Sequence, residues 1–212
     1  MRSAAGRAPG SSCRPGRTKL VIVPAVPDWL VPPYEGWHFE DLLALPLDGS
    51  PHIELIDGAF IPMSPPSKLH VQVIRNLQAQ LDRQCPAGLR ADSEAIIRID
   101  DDNGPEADVL VVTASAHDDQ ERAGWYDGSD VLVAVEVVSP SSRVRDRERK
   151  PQIYAKAAIK YLWRIEHDDS PVIYTSALDT TSTAYDITGI FHHRLKLSLP
   201  FPIDLDLGEL TQ

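Results

Sequence analysis

Apolar residues follow helical spacing in the segment SKLHVQVIRNLQAQLDRQC, residues 67–85. The apolar positions, three or four residues apart, are Leu69, Val73, Ile74, Leu77 and Leu81. This spacing places them on one face of an α-helix. Ser67 stands just before the pattern, where its hydroxyl can accept a hydrogen bond from the first turn. The pattern therefore predicts an amphipathic helix capped by Ser67.

Two apolar runs flank the dipeptide Asp57-Gly58 in HIELIDGAFIPMS, residues 52–64. Asp-Gly between apolar runs favours a tight two-residue turn, because both positions tolerate the left-handed backbone that such a turn needs. The segment therefore predicts a β-hairpin near the N-terminal end of the domain.

Further short apolar runs predict the strands EAIIRID (94–100), DVLVV (108–112), DVLVAVEVV (130–138), YLWRIE (161–166) and PVIYTSA (171–177). AYDIT (184–188) and HRLKLSL (193–199) are weaker strand predictions that could form a terminal hairpin. Helices are predicted for HFEDLLALP (38–46), which Pro46 ends, and around residues 146–158. Together these elements predict an α/β (α+β) domain with a mixed sheet, flanking helices and an added N-terminal hairpin.

The N-terminal segment has no periodicity. Residues 1–19 are rich in Gly, Pro, Ser and Arg, which predicts a disordered basic tail. Prolines interrupt the apolar residues of 20–36, which predicts an extended arm. The folded domain is expected to span 37–212.

Composition is that of a soluble globular protein, with 42% hydrophobic and 25% charged residues in a chain of 212. No apolar run is long enough to cross a membrane, and the N-terminus lacks the apolar core of a signal peptide. A cytoplasmic location without membrane contact is expected. Cys13 and Cys85 have no metal-binding spacing and are expected to be reduced thiols.

The formal net charge is −10. Five basic residues and no acid lie in 1–19, so the remainder holds 16 basic and 31 acidic residues, a balance of −15. Nucleic-acid-binding proteins usually carry a basic surface. This balance argues against tight, non-specific DNA binding, and any approach to a polyanion would need a local basic patch or bound cations.

Two carboxylates interrupt the predicted strands. Asp108 opens its strand, and Glu136 lies near the end of the next one. If these strands pair antiparallel, the two side chains meet at one edge of the sheet. Adjacent buried carboxylates repel each other, and a divalent cation removes that cost. Oxygen ligands suit Mg²⁺ or Mn²⁺, which can polarise a phosphoryl oxygen and activate water.

Lys150 follows Glu136 by fourteen positions, at the predicted start of a helix that returns across the sheet. Pro151 is tolerated only in the first turn of a helix, so the helix is expected to begin near 146–149. Lys150 then lies close to Glu136, where its ammonium could orient water or neutralise phosphate charge. Tyr154, one turn further, could pack against Lys150.

Several segments resemble the Uma-two family of restriction-endonuclease-like proteins, within the PD-(D/E)xK nuclease superfamily. They are IELIDG, MSPPSKLH, DVLVV, VEVVSPSSRVRDRERKPQIYAKAAIKYLW and PFPIDLDLGEL, and the resemblance extends over residues 37–210. The resemblance implies a restriction-endonuclease-like fold and Mg²⁺- or Mn²⁺-dependent hydrolysis of DNA, with Asp108 and Glu136 as metal ligands. The carbonyl of Val137 is a further candidate ligand, and the family's lysine falls on Lys150.

The resemblance also implies a site role for Glu54 on the hairpin and for His70 on the first long helix. The sequence departs from the superfamily at Val138, where the lysine two residues after the glutamate is usual, so that role passes to Lys150 or is lost. Ala107 similarly replaces the usual proline before Asp108.

Two other functions are compatible with the sequence. Val138 favours a nuclease fold that binds nucleic acid or protein without cutting. Alternatively, the acids form salt bridges in a structural or dimerisation domain with no metal affinity. A homodimer is plausible for a duplex-cutting enzyme, since two strands must be cut. Arg143, Arg145, Arg147 and Arg149 occupy alternate positions, the last three with acids between them, which is typical of a solvated helix start, yet they are the best local basic patch.

Overall fold

A seven-stranded mixed sheet forms the centre of the computed structural model, which describes residues 31–45, 52–122, 124–167 and 170–212. The strand order is β5-β3-β4-β6-β7-β8-β9. The pairs β3/β5 and β6/β7 are parallel, and the other neighbours are antiparallel. The strands are β3 (Leu89–Arg98), β4 (Glu106–Thr113), β5 (Trp125–Asp127), β6 (Val131–Val137), β7 (Tyr161–Glu166), β8 (Val172–Asp179) and β9 (Ala184–Phe191). The predicted mixed sheet is therefore confirmed.

The central strands β4 and β6 are buried on both faces, which explains their nearly continuous apolar sequences. On one face, alternate valines such as Val109 and Val135 pack in a core with the helix α2 (Lys68–Asp82). On the other face, Leu110 and Ala134 pack in a second core. The few charged side chains in these strands are thus enclosed by protein.

The predicted amphipathic helix is confirmed as α2. The Ser67 hydroxyl accepts a hydrogen bond from the backbone N–H of His70. The predicted apolar face is wrong at one position, because Leu69 is 38% exposed whereas His70 is buried. A polar side chain therefore turns toward the sheet at the first turn of this helix.

The predicted hairpin is also confirmed, as β1 (Ile53–Ile56) and β2 (Ala59–Pro62). Asp57 and Gly58 both have positive φ, at 52° and 72°, as the tight turn requires. Backbone hydrogen bonds in both directions between Leu55 and Gly104 attach the hairpin to the loop before β4. This attachment brings Glu54 of β1 against the central sheet.

The helix predicted at 146–158 is irregular at its start. A π-helical turn, Arg145–Arg149, precedes α4 (Lys150–Lys156), and the Lys150 N–H donates to the carbonyl of Arg145 five residues back. Pro151 has no N–H and its ring crowds the carbonyl four residues before it, so the regular α-helical bonding cannot continue through this position. The widened turn changes which side chains face the sheet.

The predicted terminal hairpin is wrong. β9, which contains AYDIT, pairs with β8 in the central sheet. The partner of β10 (Arg194–Leu197) is β11 (Ile203–Asp206), a strand that was not predicted. The three-residue strand β5 was also missed. Of the remaining short helices, α1 (Phe39–Leu43) was predicted, whereas α3 (Ala114–His117) and the 3-10 helices Gly128–Asp130 and Leu207–Thr211 were not.

Residues 32–212 form one compact unit. The predicted tail at 1–19, most of the arm at 20–36, Cys13 and Pro46 lie outside the described residues. No helix in the described part of the chain is long and apolar enough to span a membrane.

Packing of α2 on the sheet predicts a large difference between two leucines of this helix. Leu77 is completely buried, so Leu77→Ala is expected to lower the free energy of unfolding by about 2–5 kcal/mol. The same substitution at the exposed Leu69 is expected to change it by about 0.5 kcal/mol or less. Denaturant unfolding of both variants measures the difference, and equal losses would contradict this packing.

Candidate active site

Asp108 and Glu136 lie side by side on the antiparallel strands β4 and β6. Val109 pairs with Val135, so one further step of the register sets Asp108 opposite Glu136. The Val137 N–H donates to Asp108 Oδ2 over 2.6 Å, which fixes one oxygen of this carboxylate. Both residues are buried, as the sequence pattern predicted. The predicted carboxylate pair is therefore present in the structure.

Lys150 reaches this pair from the start of α4. Its Nζ lies 2.8 Å from Glu136 Oε2, 2.6 Å from Glu54 Oε1 and 2.6 Å from the carbonyl oxygen of Glu106. The contacts with Glu136 and Glu106 are hydrogen bonds, and the contact with Glu54 is an ion pair, so three protein oxygens surround the ammonium. The side chain is 2% exposed. Contact with water or phosphate would require Lys150 to release one of these partners.

Both oxygens of Glu136 have donors, because the Tyr154 hydroxyl donates to Oε1 over 2.5 Å. Burial raises the pKa of Glu136 well above its usual range, and Lys150 offsets only part of this effect. Burial alone would lower the pKa of Lys150, but the carboxylates of Glu136, Glu54 and Asp146 raise it well above its usual range. Lys150 consequently stays charged at the centre of the cluster.

Glu54 joins the hairpin to two cations. Its Oε1 accepts a hydrogen bond from the Glu106 N–H at 3.2 Å and forms an ion pair with Lys150, and its Oε2 lies 2.7 Å from Arg145 Nε. The Arg145 N–H does not point along that line, so this contact is an ion pair without an aligned hydrogen bond. Glu54 is completely buried, so its charge depends on these partners.

His70 lies at the first turn of α2, with Nε2 3.4 Å from Asp108 Oδ1. Burial alone lowers the pKa of His70, but the hydrogen bond to Asp108 and its charge outweigh burial and raise the pKa. Its Nδ1 is buried without a hydrogen-bond partner among the described residues. The structure thus brings five of the six sequence-predicted site residues together: Glu54, His70, Asp108, Glu136 and Lys150. The sixth, Val137, is bound to Asp108 through its N–H.

Asp146 and Glu106 are parts of the cluster that the sequence did not predict. Asp146, on the π-helical turn, is 3% exposed, and its Oδ1 lies 3.7 Å from Lys150 Nζ without a hydrogen bond. Burial raises the pKa of both carboxyl groups. Their positions in the sequence could have identified them. Glu106 is two residues before Asp108, on the same strand face, and Asp146 is one helical turn before Lys150.

Most of the site faces an open cleft of about 460 Å³. Its walls include two Ser- and Pro-rich segments, Ser64–Ser67 and Ser139–Ser142, and three histidines, His52, His70 and His167. The acidic side chains on the walls are Glu94, Glu106, Asp108, Glu136 and Asp146, and Arg145 is the one Arg or Lys among the described lining residues. The cleft is therefore rich in oxygen ligands and poor in fixed positive charge.

The predicted basic patch is largely engaged in ion pairs. Arg147 donates two hydrogen bonds of 2.9 Å to Glu166, and Arg149 pairs with Asp57 of the hairpin turn. These two side chains are partly exposed, in agreement with a solvated helix start. Arg145 departs from that prediction, because its side chain is only 19% exposed and lines the cleft.

One solved structure has the same fold over most of the chain. It is described as "a putative nuclease belonging to DUF820 from Anabaena variabilis ATCC 29413". The TM-score is 0.61 at 16% sequence identity, and the match covers 81% of this chain and 96% of that one. At this identity the likeness concerns the fold alone.

No curated protein matches the chain. A family model does match, over residues 39–207, which include every predicted site residue. Its description is "Putative restriction endonuclease", and the fold and the carboxylate–lysine cluster agree with that description. The chain belongs to the Uma2 family.

Proposed function

We propose that the protein is a metal-dependent endonuclease that hydrolyses phosphodiester bonds in DNA. The observation that carries the proposal is the pair Asp108 and Glu136, with Lys150 bound to Glu136, at the wall of an open cleft. Family membership supports a nuclease-like function. The DNA substrate and the dependence on Mg²⁺ or Mn²⁺ are our inference from the chemistry of the site.

The donors fit a hard divalent cation. Asp108 and Glu136 offer carboxylate oxygens, and the Val137 carbonyl is a third candidate ligand. Five acidic side chains line the cleft against one arginine, so a cation there offsets excess negative charge. Among the described residues no three His, Cys, Asp or Glu side chains form a ready-made metal cage, so the proposed ligands are two carboxylates and one carbonyl.

A bound metal ion would polarise the phosphoryl oxygen and lower the pKa of a nearby water molecule. The protein's own residues fix the ligands. The Val137 N–H and His70 hold Asp108, while Tyr154 and Lys150 hold both oxygens of Glu136. Such preorganisation of the ligands supports catalysis because little rearrangement is needed when the phosphate arrives.

The alternative is a nuclease fold that binds nucleic acid without cutting it. Two observations favour it: Lys150 is already bound to Glu136, Glu54 and the Glu106 carbonyl, and Val138 is buried where the superfamily usually has lysine. Under this alternative the cluster is an internal ion-pair network. Cleavage and metal-binding measurements separate the two functions.

Cleavage is expected to depend on the cluster. With Mg²⁺ or Mn²⁺, the wild type is expected to cut plasmid or single-stranded DNA, and Glu136→Ala to abolish cutting through loss of a ligand. Lys150→Ala is expected to slow cutting by about 10–100-fold, because the lysine side chain orients Glu136. The exposed Glu209→Ala serves as control. Equal cleavage by all four proteins, with folding verified by circular dichroism, would exclude this site.

Metal binding is expected without any substrate. A cation that binds only the folded protein raises its stability, by about 2.7 kcal/mol at a hundredfold excess over Kd. Mn²⁺ is therefore expected to raise the Tm of the wild type but not that of Asp108→Asn or Glu136→Gln. An unchanged wild-type Tm, together with no Mn²⁺ binding by calorimetry, would favour the alternative function.

Stability is expected to depend on the charge of Asp146. Its pKa is higher in the folded than in the unfolded protein, chiefly because of burial, so folding becomes less favourable as the pH rises through the folded pKa. Metal-free Asp146→Asn should therefore unfold at a higher temperature than the wild type at pH 8, with the difference shrinking toward pH 4.

The exposed Asp186→Asn removes the same formal charge and serves as the control for that comparison. Thermal unfolding across this pH range in EDTA measures the effect. A Tm gap between Asp146→Asn and the wild type that stays constant from pH 4 to pH 8 would show that the carboxylate charge is not its cause.

A further inference from the structure

We propose that Arg145 is the residue that binds the phosphate group of the substrate, and that Lys150 is an internal counter-ion that does not contact the substrate. This inference rests on the proposed function and assigns the phosphate contact within the same cleft. It differs from the sequence-based expectation, which gave the phosphate contact to Lys150.

Lys150 is bound inside the protein. Its Nζ donates hydrogen bonds to the carbonyl of Glu106 and to Glu136 over 2.6 and 2.8 Å, and it lies 2.6 Å from Glu54 in an ion pair. Its side chain is 2% exposed, and Lys150 is not among the residues that line the cleft. Releasing one of these bonds would leave a buried carboxylate or carbonyl unpaired, which is costly.

Arg145 has the opposite properties. It lines the cleft beside Asp146, and its side chain is 19% exposed. The contact of its Nε with Glu54 Oε2, at 2.7 Å, lacks an aligned hydrogen bond, and Nε is buried without another partner in the described chain. Glu54 thus holds the guanidinium at the cleft wall through an ion pair, and no hydrogen bond from Arg145 Nε is formed among the described residues. A guanidinium offers a planar set of donors that matches the oxygens of a phosphate.

Charge in the cleft supports the same assignment. A phosphate that approaches the pair of Asp108 and Glu136 meets a wall with five acidic side chains. Nearby arginines are directed elsewhere, since Arg147 binds Glu166 and Arg149 binds Asp57. Of the described lining residues, Arg145 is the one with a permanent positive charge, so it can offset the repulsion that a bound metal leaves.

The test is the affinity for a fluorescent DNA duplex, measured by anisotropy over a range of salt concentrations. Ca²⁺ replaces Mg²⁺, since it has the same charge and also binds oxygen ligands, and a gel verifies that the DNA stays intact. The proteins are wild type, Arg145→Gln, Arg145→Lys and Arg147→Gln. Arg147→Gln removes the same charge from the same helical turn, outside the cleft lining.

Arg145→Gln is expected to weaken DNA binding about tenfold or more, because it removes a hydrogen bond to a charged phosphate group. It should also reduce the slope of log K against log salt by about one, because one phosphate contact is gone. Arg145→Lys should restore the slope but only part of the affinity. Arg147→Gln should change neither quantity by a comparable amount.

A merely structural Arg145 would lower the Tm of Arg145→Gln and leave the salt slope unchanged. Wild-type affinity and slope in Arg145→Gln would overturn this inference while leaving the nuclease function in place. Wild-type protein that binds no DNA in Ca²⁺ would overturn both. If Arg145→Gln binds Mn²⁺ like the wild type but shows the lower slope of log K against log salt for DNA, the phosphate contact is supported independently of cleavage.

Discussion

The buried ammonium of Lys150 is the interaction on which the arrangement of the site depends. It joins three parts of the chain at one point, since its partners are Glu54 on the hairpin, Glu136 on β6 and the carbonyl of Glu106 on β4. A charge taken out of water is tolerated only when every donor is satisfied. Together with the backbone hydrogen bonds between Leu55 and Gly104, this group holds the hairpin, the sheet and α4 in one relative position.

This network leaves an excess of carboxylates on the side that faces the cleft. Lys150 and Arg145 balance Glu54 and Glu136, whereas among the described residues Asp108 has only the Val137 N–H and His70, and Asp146 Oδ1 has no hydrogen bond. A protein built only for stability would gain by replacing such groups with apolar ones. Under the proposed function, a bound cation would account for these acidic oxygens beside the cleft.

The sequence predicted the elements whose signals are local. Asp108 and Glu136 could be identified because they are charged residues within apolar strands, and Asp57-Gly58 identified the hairpin that carries Glu54. The π-helical turn was not predictable from spacing, so Arg145 and Asp146 looked like solvated residues of a helix start. The β10/β11 pair was missed because alternation does not specify a strand's partner, and β5 has only three residues.

Moving the lysine from strand to helix changes what it can do. The strand position that usually carries the lysine holds Val138 here, which is buried and uncharged. Lys150 instead approaches Glu136 from α4 and does not line the cleft. From that side the ammonium can orient and neutralise the carboxylates. Its partners Glu136 and Glu106 line the cleft, whereas Lys150 itself does not. The π-helical turn then supplies Arg145 to the cleft wall, one turn before Lys150. Under the two proposals, Lys150 fixes the acidic ligands and Arg145 faces the phosphate, so two side chains share the roles that one strand lysine would otherwise combine.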